Sequence, residues 1–105
     1  MREVDLPAFV AAHRGGALVI DVREPFEYVT GHVPGAALIP MSQLPARVAD
    51  LPRTVPVYLI CASGNRSLTA AHFLATAGVD AWSVAEGTGG WARAGHPVVR
   101  GQRAA

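Results

Sequence analysis

The sequence predicts an α/β domain built around a parallel sheet, and three observations carry that expectation. Short apolar runs alternate along the chain with segments of helical period, the pattern of repeated strand–helix units. Two of those runs, residues 17–22 (ALVIDV) and 55–60 (VPVYLI), are apolar enough to be covered on both faces, as strands of parallel sheets are. The 105 residues are half apolar and 16% charged, which suits one compact core. Residues 1–105 are therefore expected to form one domain.

Each element has a local reason. Asp5 followed by Pro7 is a cap-then-proline helix start, and Gly15-Gly16 end that helix. Residues 17–22 form the first buried strand. A helical turn is expected over 25–30, then a brief strand over 37–40. Ser42 is placed to cap a helix running to about Leu51. Residues 55–60 make the most apolar strand and so the central one, with Pro56 confined to its start because proline cannot donate to a ladder. Residues 67–77 are the clearest helix: Ala70, Phe73, Leu74 and Ala77 fall at i, i+3, i+4 and i+7, and Gly78 stops it. Residues 81–84 make the last strand. Four glycines at 87, 89, 90 and 95, with Trp91 among them, predict a turn leading into a short helix. No repeat and no linker interrupts the series.

Composition excludes several function classes. Net charge is +1, and the nine basic residues, all arginine, are scattered singly. Nothing in the pattern would neutralise a run of phosphates, so neither nucleic acid nor a membrane surface is an expected partner. Without lysine there is no Schiff-base chemistry and no lysine general base. A single cysteine, Cys61, makes neither an internal disulfide nor a Cys-X-X-Cys pair. His13, His32, His72 and His96 lie far apart in sequence with no close pair, and no metal site is expected. No apolar run nears the roughly 18 residues of a membrane span. Met1-Arg2-Glu3 opens directly into folded-looking sequence, so no leader is expected and the compartment is taken as cytoplasmic, with a reduced thiol.

The chemistry concentrates in residues 59–67, LICASGNRS. A lone cysteine is often just a small buried hydrophobe. Here it stands at the carboxyl end of the central strand, where open α/β sheets bind ligands. Ala62, Ser63, Gly64 and Asn65 are small or turn-forming, so several backbone N–H groups can be aimed at one point. A helix starting near Ser67 adds its positive end, and Arg66 adds a full charge. A free thiol with a pKa of about 8.5 is only a few per cent ionised at neutrality. A helix terminus is worth up to about 2 kcal/mol, so terminus, amides and Arg66 together are expected to favour the thiolate.

These residues carry a resemblance. The stretch CASGNRS, between an apolar strand and a helix, resembles the active-site loop of the rhodanese family of sulfurtransferases. Residues 21–36, DVREPFEYVTGHVPGA, are similar to that family's upstream signature, and residues 86–98, EGTGGWARAGHPV, to its glycine-rich, tryptophan-containing end. The three occur in the family's order and span nearly the whole chain.

The resemblance implies a five-stranded, mostly parallel sheet with helices on both faces. It implies a double displacement with Cys61 as the catalytic nucleophile. A small anionic sulfur donor, such as thiosulfate or a related persulfide or thiosulfonate, gives Cys61 a sulfur; cyanide, a thiol or a protein acceptor takes it away. It implies no metal or organic cofactor. Arg66, Ala62, Ser63, Gly64, Asn65 and Ser67 are the candidate substrate-binding residues, with Ser67 equally a helix-start residue.

Asp21, Arg23, Glu27 and His32 are expected to support the site. Sulfur transfer needs little proton transfer, so Asp21 and Arg23 are expected to brace the loops and His32 to fix the turn around Gly31. His72 is expected at the surface. Trp82 and Trp91 are expected in the core or at its rim, with the pocket mouth a second place for Trp91.

One departure bears on the donor: position 62, often basic or aromatic in the family, is Ala62. Two rivals remain. A related dual-specificity phosphatase loop has five residues between cysteine and arginine, whereas this one has four. The other is a non-catalytic rhodanese-like binding or sulfur-carrier module, which usually lacks the cysteine.

Overall fold

The computed structural model describes residues 2–105; Met1, part of the opening stretch, lies outside them. Five strands form one sheet: β1 (Glu3–Val4), β2 (Leu18–Asp21), β3 (Ala37–Leu38), β4 (Val57–Ile60) and β5 (Ala81–Val84). Their order is β1-β5-β4-β2-β3, and every pairing is parallel. Helices α1 (Leu6–Arg14), α2 (Pro25–Tyr28), α3 (Leu44–Arg47), α4 (Asn65–Thr76) and α5 (Gly87–Arg93) connect them.

Alternation along the strands divides the core in two. Ile20, Val57 and Leu59 face α4 and α3, packing on Ala70, Ala71, Leu74 and Leu44. Val19, Ile60 and Val84 face the other way, against Phe9 of α1 and Trp91 of α5. Helices thus cover both faces, and β4, paired on both sides, has no free edge.

Most of the expected elements form where composition placed them. Asp5 caps α1, its carboxylate accepting from the Ala8 amide at 2.9 Å. The expected helix from Ser42 to Leu51 is corrected. Pro45 lies in its first turns, and the segment breaks into a 3₁₀ turn (Met41–Gln43), α3 and a second 3₁₀ turn (Val48–Asp50).

β4 starts at Val57, after Pro56, leaving Val55 exposed. The edge strand β1 was not expected, because two residues show no periodicity; it is held by Ser83 N–H to Arg2 O and Ala85 N–H to Val4 O. Helix α4 begins at Asn65, two residues earlier than expected. Its buried face is Ser67, Ala70, Ala71 and Leu74, while Phe73, placed by periodicity in the apolar stripe, is 40% exposed. Small residues on that face let the helix lie close to the sheet, and the bulky ring is turned outward. His72 is exposed, Trp82 half-buried, and Trp91 is core beside Phe9 rather than at a pocket mouth.

Candidate active site

The site is assembled at the carboxyl ends of β2, β4 and β5. Cys61 follows β4 directly, and its side chain is 1% exposed. Gly64 turns the chain back at φ 108°, a left-handed conformation open to glycine at little cost, and caps α4. That reversal brings the Gly64 amide to 3.1 Å from Cys61 Sγ, and the first turn of α4 brings the Ser67 amide to 3.4 Å.

The Ser67 hydroxyl also lies 3.4 Å from the sulfur and 2.7 Å from the hydroxyl of Ser83 on β5. Both serines are fully buried. With Cys61 ionised, a consistent set of donors runs from Ser83 O–H to Ser67 Oγ and from Ser67 O–H to the thiolate. Burial pushes the Cys61 thiol up, but the Ser67 hydroxyl and the Ser67, Gly64 and Ser63 amides outweigh it, so the net shift is downward.

The loop is held from below by the turn into α5. Thr88 N–H donates to Cys61 O at 2.8 Å and Gly89 N–H to Ala62 O at 3.0 Å. This approach requires glycine at position 87. A Cβ there would lie 2.4 Å from Cys61 O and 2.7 Å from Ala62 C. Glu86, just before it, adopts φ 65°.

Charges around the loop are paired. Arg66, the second residue of α4, spans both oxygens of Glu27 at 2.7 and 2.8 Å. The Arg66 guanidinium holds the Glu27 carboxyl down to about 2, and Glu27 in turn raises Arg66. Arg23 is bidentate on Asp21, both buried, and also donates to Gly31 O at 2.9 Å, tying the end of β2 to the following turn. On α5, Arg93 stands 3.9 Å from Glu86, both exposed.

The His32 ring is fully buried and stacked on Tyr28 at 3.6 Å. Its nitrogens lie 2.8 Å from Tyr28 O and 2.7 Å from Arg103 O. It joins α2 to the C-terminal segment. Burial, with the Asp21 charge adding to it, pushes the Tyr28 hydroxyl up, and that hydroxyl donates to Ala36 O.

This geometry of strand, tight cysteine loop and helix can be set beside known proteins. Residues 8–94 match the family model described as Rhodanese-like domain. The chain belongs to this family. A protein of Allochromatium vinosum named sulfurtransferase is 35% identical over 83 residues, which is 78% of each chain. The crystal structure of a rhodanese-related protein from Thermoplasma volcanium matches with a TM-score of 0.87 at 34% identity, covering 94% of this chain and 98% of that one. A rhodanese-like domain protein from Staphylococcus aureus matches with a TM-score of 0.86 at 26% identity, over 97% and 100% of the two chains. The fold expected from the resemblance is therefore the observed one.

Within the rhodanese-like domain, the sequence candidates fall into three places. Gly64 and Ser67 touch the sulfur, and the Ser63 amide also favours its anion, while the side chains of Ala62, Ser63 and Asn65 are exposed on the rim. Arg66 and Glu27 bind each other, so Arg66 is not the free cation the loop sequence suggested, and the ion pair of Glu27 is with Arg66 rather than with Arg23. Asp21, Arg23 and His32 lie behind the loop, with no hydrogen bond to Cys61.

Ser83 was missed. The signal was available: in AWSV, Ser83 takes the same face as Ala81, so an inward position of a buried strand carries a hydroxyl. Among the described residues no three His, Cys, Asp or Glu side chains gather into a metal-binding group, and no helix is long and apolar enough to cross a membrane.

Proposed function

We propose that this rhodanese-like domain is a sulfurtransferase that carries one sulfane sulfur as a Cys61 persulfide. The observation that carries the reading is the donor set on a single buried sulfur: two backbone amides at 3.1 and 3.4 Å and one hydroxyl at 3.4 Å. Such donors favour an anionic sulfur, the form that is nucleophilic. The membership of the chain in the rhodanese-like family and its 35% identity to a protein named sulfurtransferase support the same chemistry.

In the first step the Cys61 thiolate attacks the outer sulfur of a donor. An S–S bond to Cys61 forms as the bond between the outer sulfur and the rest of the donor breaks, its electron pair leaving with sulfite or a thiolate. In the second step cyanide or a thiolate attacks the carried sulfur, and the Cys61–sulfur bond breaks to regenerate the thiolate. Thiocyanate or a new persulfide departs. No net oxidation occurs, and neither step calls for a general base once the thiolate exists. The enclosure of Cys61 suits a donor whose reacting atom is a narrow terminal sulfur. The amides that hold the thiolate are fixed before reaction, so they stabilise anionic sulfur with no reorganisation at that moment.

Intact mass after incubation with thiosulfate or an alkyl persulfide, in the absence of reductant, tests this. The protein should gain the mass of one sulfur atom and lose it on addition of cyanide. Cys61→Ser should gain none and transfer none while keeping its fold. Transfer by that variant above background would overturn the assignment.

A further inference from the structure

The same ion pair bears on which donor the site takes, given the Cys61 persulfide chemistry proposed above. Glu27 occupies both terminal nitrogens of Arg66. Arg66 is the cation nearest in sequence to the sulfur loop, and Cys61 and Asp21 both add their charges to its surroundings. Arg23, behind the loop, is likewise matched with Asp21, while Arg93 at the end of α5 is exposed and stands 3.9 Å from an exposed Glu86. Ala62 adds no charge of its own. A dianion brought beside Arg66 would therefore meet the Glu27 carboxylate too, and like charges at such range repel. Glu27 titrates near 2, so it stays ionised at any pH at which the thiolate reacts.

We propose that Glu27 is a specificity-determining residue: by engaging Arg66 with both carboxylate oxygens it turns the site toward organic persulfides, R–S–SH, and away from the thiosulfate dianion. With such a donor the Cys61 thiolate attacks the terminal sulfur of the neutral hydrodisulfide. The new bond gives Cys61–S–SH, and the old S–S bond breaks to release R–S⁻. No anionic head has to be held, so a neutralised Arg66 suffices to pin the start of α4 to α2. Glu27 acts through Arg66 and touches no reacting atom.

The test is the ratio of kcat/KM for thiosulfate to kcat/KM for 2-hydroxyethyl persulfide, a donor with no charged group besides its reacting end. A ratio cancels general damage to the loop. Glu27→Gln keeps an oxygen able to accept the capping hydrogen bond from the Glu24 amide, so α2 retains its start. Freeing a charge-assisted donor should raise the ratio by roughly tenfold or more, chiefly through a lower KM for thiosulfate. Glu27→Asp, which keeps the charge, should stay close to wild type. Adding Arg66→Gln to Glu27→Gln should erase the gain, since the gain depends on the liberated guanidinium.

An unchanged or lowered ratio in Glu27→Gln overturns the proposal, as does a gain that survives loss of Arg66. A wild-type protein that acquires sulfur from neither donor instead sinks the persulfide reading itself, and the selectivity proposal falls with it.

Discussion

Replacing Ser67 by alanine isolates what lowers the Cys61 thiol. The change removes the hydroxyl 3.4 Å from Sγ but leaves the Ser67 and Gly64 amides in place, because α4 starts before residue 67 and alanine continues a helix well. A hydrogen bond to a charged group is worth about 1.5 kcal/mol or more. Its loss corresponds to roughly a tenfold shift of the ionisation equilibrium toward the thiol. The methyl group left behind also removes a polar neighbour, which acts in the same direction.

The rate of alkylation by iodoacetamide against pH reads this equilibrium. The wild-type midpoint should lie below that of a free thiol, and Ser67→Ala should move it upward. Arg66→Ala should move it less, because hydrogen bonds from the loop and Ser67 outrank the Arg66 charge, which Glu27 already answers. A larger shift in Arg66→Ala than in Ser67→Ala would refute the reasoning and return the charge of Arg66 to the centre of the account.

Other perturbations follow from the same geometry. Gly87→Ala forces a Cβ to within 2.4 Å of Cys61 O at a φ of +58°, so it should cost about 2–4 kcal/mol in urea denaturation and displace the cysteine loop. Asp21→Asn leaves the buried Arg23 guanidinium without its counter-ion and should cost about 3–5 kcal/mol, measured the same way. Glu27 sits near 2 in the folded protein against an ordinary value of 4.5, so its contribution to stability is complete above about 4.5 and is lost as pH falls toward 2. Acid titration of the melting temperature should accordingly fall less steeply across that window in Glu27→Gln than in wild type; identical slopes would show that the pair adds nothing to folding.

What the sequence determined by itself is what short-range chemistry encodes. Apolar runs with the period of a buried strand placed β2, β4 and β5, and Asp5 with Pro7 placed the start of α1, because these signals act over a few residues. The motif around Cys61, with two further stretches in the family's order, pointed to the fold, and to Cys61 as the nucleophile proposed above. Local patterns failed where a neighbour outweighed periodicity. The helix expected from Ser42 is broken into 3₁₀ and α turns on either side of Pro45, and close packing of α4 on the sheet sent Phe73 outward. Strand β1 is too short to show a period and exists only because β5 offers an edge.

Only the tertiary structure decided the electrostatics of the site. Glu27 and Arg66 are 39 positions apart, and nothing in either segment says that they meet. The same holds for Ser83, sixteen positions from Ser67, whose hydroxyl supports the one facing the sulfur. The sequence placed a positive charge beside the cysteine; the fold supplied the carboxylate that neutralises it. The physical reason is range. Capping, turn and strand preferences are set by backbone neighbours, whereas the net charge at a site depends on which side chains the sheet order brings together.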